Sequence, residues 1–172
     1  MWKAIPEIEC KQVWDKFYKD FDFKPSIYKK DWPSIRTEKH NYKFSISNLL
    51  NNRSNELTSN DFLQKAIDTF IEITTVNEEI YVLDWVHECY NVIPSQLKID
   101  NFKNFNNSCI SFIPNGDYYI FLTKDLSNIW FGHPWEETVT IIGTELINAF
   151  NRNKPLFLIN QNIKLPTTKY WH

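Results

Sequence analysis

Glycine, cysteine and methionine are scarce in this chain, and neither a single sign of charge nor a long apolar stretch dominates it. Three glycines in 172 residues leave no glycine-rich loop of the kind that cradles phosphates. A net charge of −2 with both signs interspersed creates no positive field for a polyanion, so no nucleic acid partner is expected. No stretch approaches the roughly 18 apolar residues that span a bilayer. We therefore expect no membrane partner and a cytoplasmic location.

Cysteine is sparse and widely spaced. Cys10, Cys89 and Cys109 form no CxxC pair, whereas disulfide frameworks and structural zinc sites usually use closer, paired ligands. The expectation is three small, buried thiols in a reducing compartment. Neither a metal nor any other cofactor is predicted from these residues.

Aromatic residues, by contrast, are abundant. The chain contains seven Trp, eight Tyr and thirteen Phe, and 42% of its residues are hydrophobic. A chain of this length can form one well-buried core and is short for two domains. The sequence therefore predicts one domain over residues 1–172.

Helical periodicity appears in three places. Apolar residues recur at helical spacing over about 7–20, again over 61–73, and over 144–151 after the turn residue Gly143. The Asn-rich segment 41–60 lacks such a pattern, and we expect it to be a surface excursion whose role the sequence does not give.

From Ile80 onwards the apolar period changes from helical to two. Alternation over 80–90 predicts one continuous strand. Asp84 and His87 would then lie on opposite faces of that strand, and they could share a pocket only if a bulge shifted the register.

Four further strands follow from local signals. Asn115-Gly116 is a favoured centre for a two-residue turn and predicts a hairpin from Ser108 to Thr123. A short strand is expected at 129–131. Residues 138–142 are rich in β-branched side chains and favour a strand, although a helix beginning at Pro134 is the alternative.

Together these elements predict a single α+β domain. We expect a mainly antiparallel sheet of four to five strands, spanning residues 80–142, with about three helices packed on it. The order of the strands does not follow from the pattern.

Three short strings resemble a known family. They are Asp84-Trp85-x-His87, Pro114-Asn115-Gly116-Asp117-Tyr118-Tyr119 and Phe131-Gly132-His133-Pro134-Trp135-Glu136. They are similar to an uncharacterised family of small bacterial proteins, a domain of unknown function found mainly in Gram-positive species. The resemblance covers about residues 10–150. It implies a bacterial cytosolic origin and carries no assigned reaction.

The candidate functional residues lie in the same strings, and each also has a structural interpretation. His133 could bond amides of a turn, and Glu136 could begin a helix. Asp117 could bond turn amides, and His87 could hold a backbone carbonyl. The candidate cluster is Asp84, Trp85, His87, Asp117, Tyr119, His133, Trp135 and Glu136.

If the acidic residues and histidines lay close together, a functional role would be favoured over separate structural roles. Asp84, His87, Asp117 and His133 would together make a plausible acid–base or metal constellation. Their spacing along the chain does not require this convergence.

Two classes of function fit these observations. The preferred hypothesis is a non-enzymatic protein-interaction module, such as an immunity-type protein that neutralises a toxin, with Trp130 and Trp135 as aromatic anchors beside an acidic rim. The alternative is a hydrolase-like, small-molecule-binding enzyme using His133 with Asp84 or Glu136. A deep pocket holding both histidines would favour the enzyme. The oligomeric state does not follow from the sequence.

Overall fold

A seven-stranded antiparallel sheet forms the centre of the molecule. The computed structural model describes residues 2–51, 56–102 and 110–160. The strands follow the order β1-β4-β3-β5-β6-β7-β2, and every pair of neighbours is antiparallel. They are β1 (Lys3–Ala4), β2 (Asn41–Ser45), β3 (Ile80–Asp84), β4 (Tyr90–Val92), β5 (Tyr119–Leu122), β6 (Ile129–His133) and β7 (Thr138–Ile142).

Helices cover both faces of the sheet. The described α-helices are α1 (Glu7–Phe21), α2 (Ser47–Asn51), α3 (Glu56–Ile73), α4 (Thr144–Arg152) and α5 (Leu156–Asn160). Short 3₁₀ turns lie at Lys29–Asp31, Pro94–Gln96 and Ile99–Phe102. Buried residues of α3, α4 and α5 share a core with one face, whereas α1 and the segment after it share a core with the other.

The alternation of strand residues divides the core into two layers. Val82, Phe121 and Trp130 pack in the layer with α3 and α4, while Leu83 and Phe131 pack in the layer with α1. Strands β5, β6 and β7 are buried at every position. Strands covered on both faces read as almost continuous apolar runs, which explains the strings IWFGH and TVTII.

The α+β class and the antiparallel sheet are confirmed, but the predicted number of strands is too low. Strand β2 lies inside segment 41–60, which we expected to be a surface excursion. It is an edge strand in which only Phe44 is buried, so its sequence is mostly polar. Residues 52–55 of that segment lie outside the described residues.

Two strand predictions are wrong in detail. The expected single strand over 80–90 is two strands, β3 and β4, which pair with each other around a turn. The expected Asn115-Gly116 hairpin also does not form, because β5 pairs with β3 and β6. Ile110 and Phe112 are buried in the core instead of extending a strand, and residues 108–109 lie outside the described residues.

Other predictions are confirmed. Strand β7 and helices α1 and α4 lie where the periodicity places them, and α3 begins five residues before the predicted start. Gly143 has φ +104°, a conformation that side-chain-bearing residues rarely adopt, and its N–H donates to His40 O at 2.9 Å. Among the described residues, no helix has both the length and the apolar character needed to cross a membrane.

Candidate functional site

The turn between β3 and β4 brings together two residues that the strand prediction placed on opposite faces. β3 ends at Asp84, and the His87 N–H donates to the Asp84 carbonyl at 3.2 Å. Val86 adopts φ +64°, which reverses the chain. The prediction that Asp84 and His87 face opposite sides is therefore wrong, because a turn begins immediately after Asp84.

Asp117 reaches the same place from the start of β5. Tyr119 of β5 pairs with Asp84 of β3, and the Asp117 Oδ1 accepts the Tyr118 N–H at 2.7 Å. The His87 Nδ1 lies 3.3 Å from Asp84 Oδ1 and 3.7 Å from Asp117 Oδ2. These three residues, which we call the carboxylate–histidine cluster, present ligand atoms within 4.8 Å of one another.

Asp84 is the least satisfied member of this cluster. The residue is only 5% exposed, and its Oδ1 accepts no hydrogen bond, although the His87 ring lies close to it. Burial raises the pKa of Asp84 to about 6, against the opposing effect of His87. Burial also raises the pKa of Asp117. A buried carboxylate with an unbonded oxygen is costly unless a cation compensates it.

His133 belongs to a different and fully bonded environment. It is 0% exposed, and its Nδ1 accepts the Glu136 N–H of the β6–β7 turn at 3.1 Å. Its Nε2 lies 3.2 Å from Ser34 Oγ and 3.4 Å from the Tyr118 hydroxyl. These bonds assign the ring proton to Nε2. Burial lowers the pKa of His133 to about 4, so the ring is neutral at pH 7.

Glu136 and Tyr119 also have structural partners. The Glu136 Oε1 accepts a bond from Lys43 Nζ of β2 at 2.7 Å, and its Oε2 accepts the Thr138 hydroxyl. Tyr119 is 5% exposed, and its hydroxyl donates to Asn115 O at 3.3 Å. In the described chain, no hydrogen bond or ion pair joins the His133 ring to Asp84 or to the Glu136 carboxylate. Neither predicted acid–base pair, His133 with Asp84 or His133 with Glu136, is hydrogen-bonded.

Aromatic side chains form a continuous strip across the α1 face beside the cluster. We call Trp14, Tyr18, Trp85, Tyr118 and Trp135 the aromatic strip. The Tyr118 ring lies 5.0 Å from Trp135 and 5.8 Å from Trp85. The Trp85 indole N–H donates to the Tyr18 hydroxyl at 3.2 Å, and Tyr18 lies 5.7 Å from Trp14. Tyr118 is buried, whereas the three tryptophans are half-buried. Trp130 is 0% exposed and cannot be the surface anchor that we predicted.

A groove of about 630 Å³ runs between the start of α1 and the β3–β4 turn. His87 and Trp14 line it, together with Cys10 and Cys89. These two cysteines form a disulfide with a Cα–Cα distance of 5.7 Å, so the prediction of free thiols is wrong for both. Cys109 lies outside the described residues. Because disulfides persist mainly in oxidising compartments, the cytoplasmic location stays a prediction that this bond disfavours.

Comparison with known proteins identifies the family of this chain. The profile of a family described as "Protein of unknown function (DUF2716)" matches residues 4–147.

The chain belongs to the DUF2716 family.

This family membership confirms the resemblance to an uncharacterised bacterial family. A relative is the "Uncharacterized protein YxiI" of Bacillus subtilis (strain 168), which is 27% identical over 165 residues, covering 93% of this chain and 98% of the relative. No solved structure matches this DUF2716 chain.

The sequence identified the members of the carboxylate–histidine cluster but not their grouping. Asp84, His87 and Asp117 meet, while His133, Trp135 and Glu136 are held at the separate β6–β7 turn. The functional neighbourhood also includes Trp14, Tyr18 and the disulfide, which we did not predict. Trp14 and Tyr18 gave a helical signal only, and two cysteines 79 residues apart carry no spacing signature.

Proposed function

We propose that this DUF2716 chain is a protein-interaction module that binds its partner through the aromatic strip and the adjacent groove. The observation that carries the proposal is the row of half-buried tryptophans at one end of an otherwise well-covered sheet. Tryptophan and tyrosine dominate binding hot spots because they offer large, rigid contact areas.

Exposed aliphatic residues lie on the two elements that form the groove. Val86, which lines the groove at the β3–β4 turn, is 73% exposed, and Ile8 on α1 is 75% exposed. Burying one such side chain at an interface contributes on the order of 1.5–3 kcal/mol. The disulfide joins the two elements that carry these residues, so the surface is held in one arrangement before binding.

The charge around the groove favours a basic partner. Glu7 and Glu88 line the groove. Lys11 also lines it, but Lys11 pairs with Asp15 at 2.8 Å. A partner with lysine or arginine residues around an apolar centre would complement this rim. A toxin that the chain neutralises is the specific partner class that we propose.

Site-specific photo-crosslinking tests the proposal with a closely matched control. A photo-crosslinking residue is placed at Val86 or at Val76, which is 74% exposed in the turn before β3. In a lysate of the native organism, Val86 should give a defined adduct with one protein, and Val76 should not.

The partner must then be tested against the strip itself. Trp85→Ala, checked for folding, should weaken binding of the purified partner by at least about tenfold, since hot-spot residues contribute 2 kcal/mol or more. Equal crosslinking at Val76, or unchanged affinity after Trp85→Ala, would contradict the proposal.

A second candidate function is a small-molecule enzyme, favoured by one observation. The Asp84 carboxyl, whose pKa burial raises to about 6, lies beside the solvent-exposed His87 on the groove. A carboxyl that titrates near neutrality can serve as a general acid or base. Turnover that is abolished by both Asp84→Asn and His87→Gln, in the absence of a protein partner, would favour this candidate.

A further inference from the structure

We infer that Asp84, His87 and Asp117 form a binding site for a divalent first-row transition metal ion such as Zn²⁺. This inference does not depend on the proposed protein partner, because an ion could bind whether or not a protein docks on the aromatic strip. It uses three of the four residues, Asp84, His87 and Asp117, that the sequence analysis named as a possible metal constellation if they converged.

The separations of the ligand atoms fit a tetrahedral ion. Zn–N and Zn–O bonds of about 2.0–2.1 Å place neighbouring tetrahedral ligands roughly 3.3 Å apart. His87 Nδ1 lies 3.3 Å from Asp84 Oδ1 and 3.7 Å from Asp117 Oδ2. All three ligand atoms lie within 4.8 Å of one another, so side-chain adjustments that bring the two carboxylate oxygens closer would place all three on one ion.

The unbonded oxygen of Asp84 is suited to bind a cation. The Asp84 side chain is 7% exposed, and its Oδ1 accepts no hydrogen bond. The His87 Nδ1 lies 3.3 Å from this oxygen and can offer it a positive charge only when the ring is protonated. An ion between the two atoms would satisfy the carboxylate oxygen and the imidazole nitrogen together.

The backbone holds the three ligands in place before any ion arrives. Asp84 ends β3 and is paired with Tyr119 of β5. The His87 N–H is bonded to the Asp84 carbonyl, and the Tyr118 N–H holds the Asp117 carboxylate through its Oδ1. The Asp117 Oδ2 remains directed towards His87. Such positioning of ligands by neighbouring bonds is typical of metal sites.

An ion can reach the cluster from solvent. The His87 side chain is 61% exposed and lines the groove. The three protein ligands leave at least one coordination position for water or for a group from a bound molecule. One imidazole and two carboxylates favour Zn²⁺, Co²⁺ or Mn²⁺, whereas Ca²⁺ prefers six to eight oxygen ligands.

Calorimetric titration with Zn²⁺ tests the site. The protein should carry the intact Cys10–Cys89 disulfide and the substitution Cys109→Ser, so that no free thiol binds the ion. We expect one Zn²⁺ per chain and no displacement by a large excess of Ca²⁺. Co²⁺ should give an absorption spectrum typical of a four- or five-coordinate nitrogen and oxygen site.

Matched variants assign the ligands. His87→Gln, Asp84→Asn and Asp117→Asn should each weaken Zn²⁺ binding by at least about tenfold, while His40→Gln and Asp100→Asn should not. His87→Gln is the decisive variant, because the side chain is exposed and its loss should not impair folding. Absence of one-to-one binding, or binding that persists in His87→Gln, would overturn the inference. Neither result affects the crosslinking test at Val86, which addresses the protein partner.

Discussion

The turns that follow Asp84 and His133 use similar residue types with opposite results. In the β6–β7 turn, His133 is buried, both ring nitrogens have partners, and Glu136 is paired with Lys43. In the β3–β4 turn, His87 is exposed and lies beside a buried carboxylate oxygen without a hydrogen bond. A satisfied polar group stabilises a fold, whereas an unsatisfied one remains available for a ligand. We therefore propose a structural role for His133 and Glu136 and a ligand-binding role for Asp84 and His87.

Loss of the disulfide should give the largest change in stability, because it closes a long loop of the chain. It tethers the β3–β4 turn to α1, whereas the β6–β7 turn has no such tether among the described residues. Replacing Cys10 and Cys89 together by serine should lower the free energy of unfolding by about 4 kcal/mol, as expected for closing a loop of this length. Urea unfolding of the two proteins measures the difference. Cys109→Ser is the control, and a loss below about 1 kcal/mol for the double variant would contradict this role.

The pH dependence of stability should show the buried His133. Its pKa is about 4 in the folded chain against an ordinary 6.5, so the unfolded chain binds the proton first as pH falls. The stability is fully present above pH 6.5 and is lost as pH falls towards 4, by up to about 3 kcal/mol.

Titration of Asp84 has the opposite effect on the pH dependence of stability. The Asp84 carboxyl must therefore be removed before the contribution of His133 can be measured. Its folded pKa of about 6 exceeds the ordinary 3.8, so stability falls as pH rises between these values. Urea unfolding at several pH values should therefore use Asp84→Asn as the background, with His133→Asn added for comparison. A pH dependence that persists unchanged after His133→Asn would show that another group causes it.

Removing each histidine in turn sharpens the contrast between the turns. His133→Ala should lower the free energy of unfolding by about 2 kcal/mol, because the Glu136 amide loses its acceptor and a buried side chain is removed. His87→Ala should change it by less than about 0.5 kcal/mol, because the side chain is exposed. Urea unfolding near neutral pH compares them, and equal losses would remove the distinction.

A small effect of opposite sign is expected for Asp84→Asn in metal-free buffer. Removing the buried charge should leave stability unchanged or raise it by roughly 1 kcal/mol at about pH 8, where the carboxylate is ionised. Thermal and urea unfolding give the value, with Asp100→Asn as an exposed control. A clear loss of stability would mean that the carboxylate has a stabilising partner in the metal-free chain.

Periodicity predicted the elements whose sequence pattern matches their packing. Helices α1 and α4 belong to this group, whereas strand β7 was predicted from its β-branched residues. Periodicity failed at the β3–β4 turn, because Trp85, Val86 and His87 continue an aromatic and aliphatic pattern and include no glycine or asparagine. The positive φ of Val86 contradicts the usual preference of a β-branched residue, so propensity alone could not place the turn there.

The Asn115-Gly116 signal shows a different limit. This pair favours a tight turn locally, but the sheet offers β5 two longer partners, β3 and β6. The preceding apolar run packs in the core, where Phe112 O accepts the Trp130 indole N–H at 3.1 Å. Tertiary pairing overrode local turn chemistry. The carboxylate–histidine cluster forms only because a turn follows Asp84 and because β5 pairs with β3. The sequence could therefore predict the members of the cluster but not that they lie together.

The most direct test of the contrast between the two turns is the Zn²⁺ affinity of His87→Gln and His133→Asn measured side by side on folded protein. We predict that His133→Asn binds Zn²⁺ as the parent chain does, and that His87→Gln binds it at least about tenfold more weakly. Equal affinity of the two variants, or a loss confined to His133→Asn, would contradict the assignment of function to the β3–β4 turn.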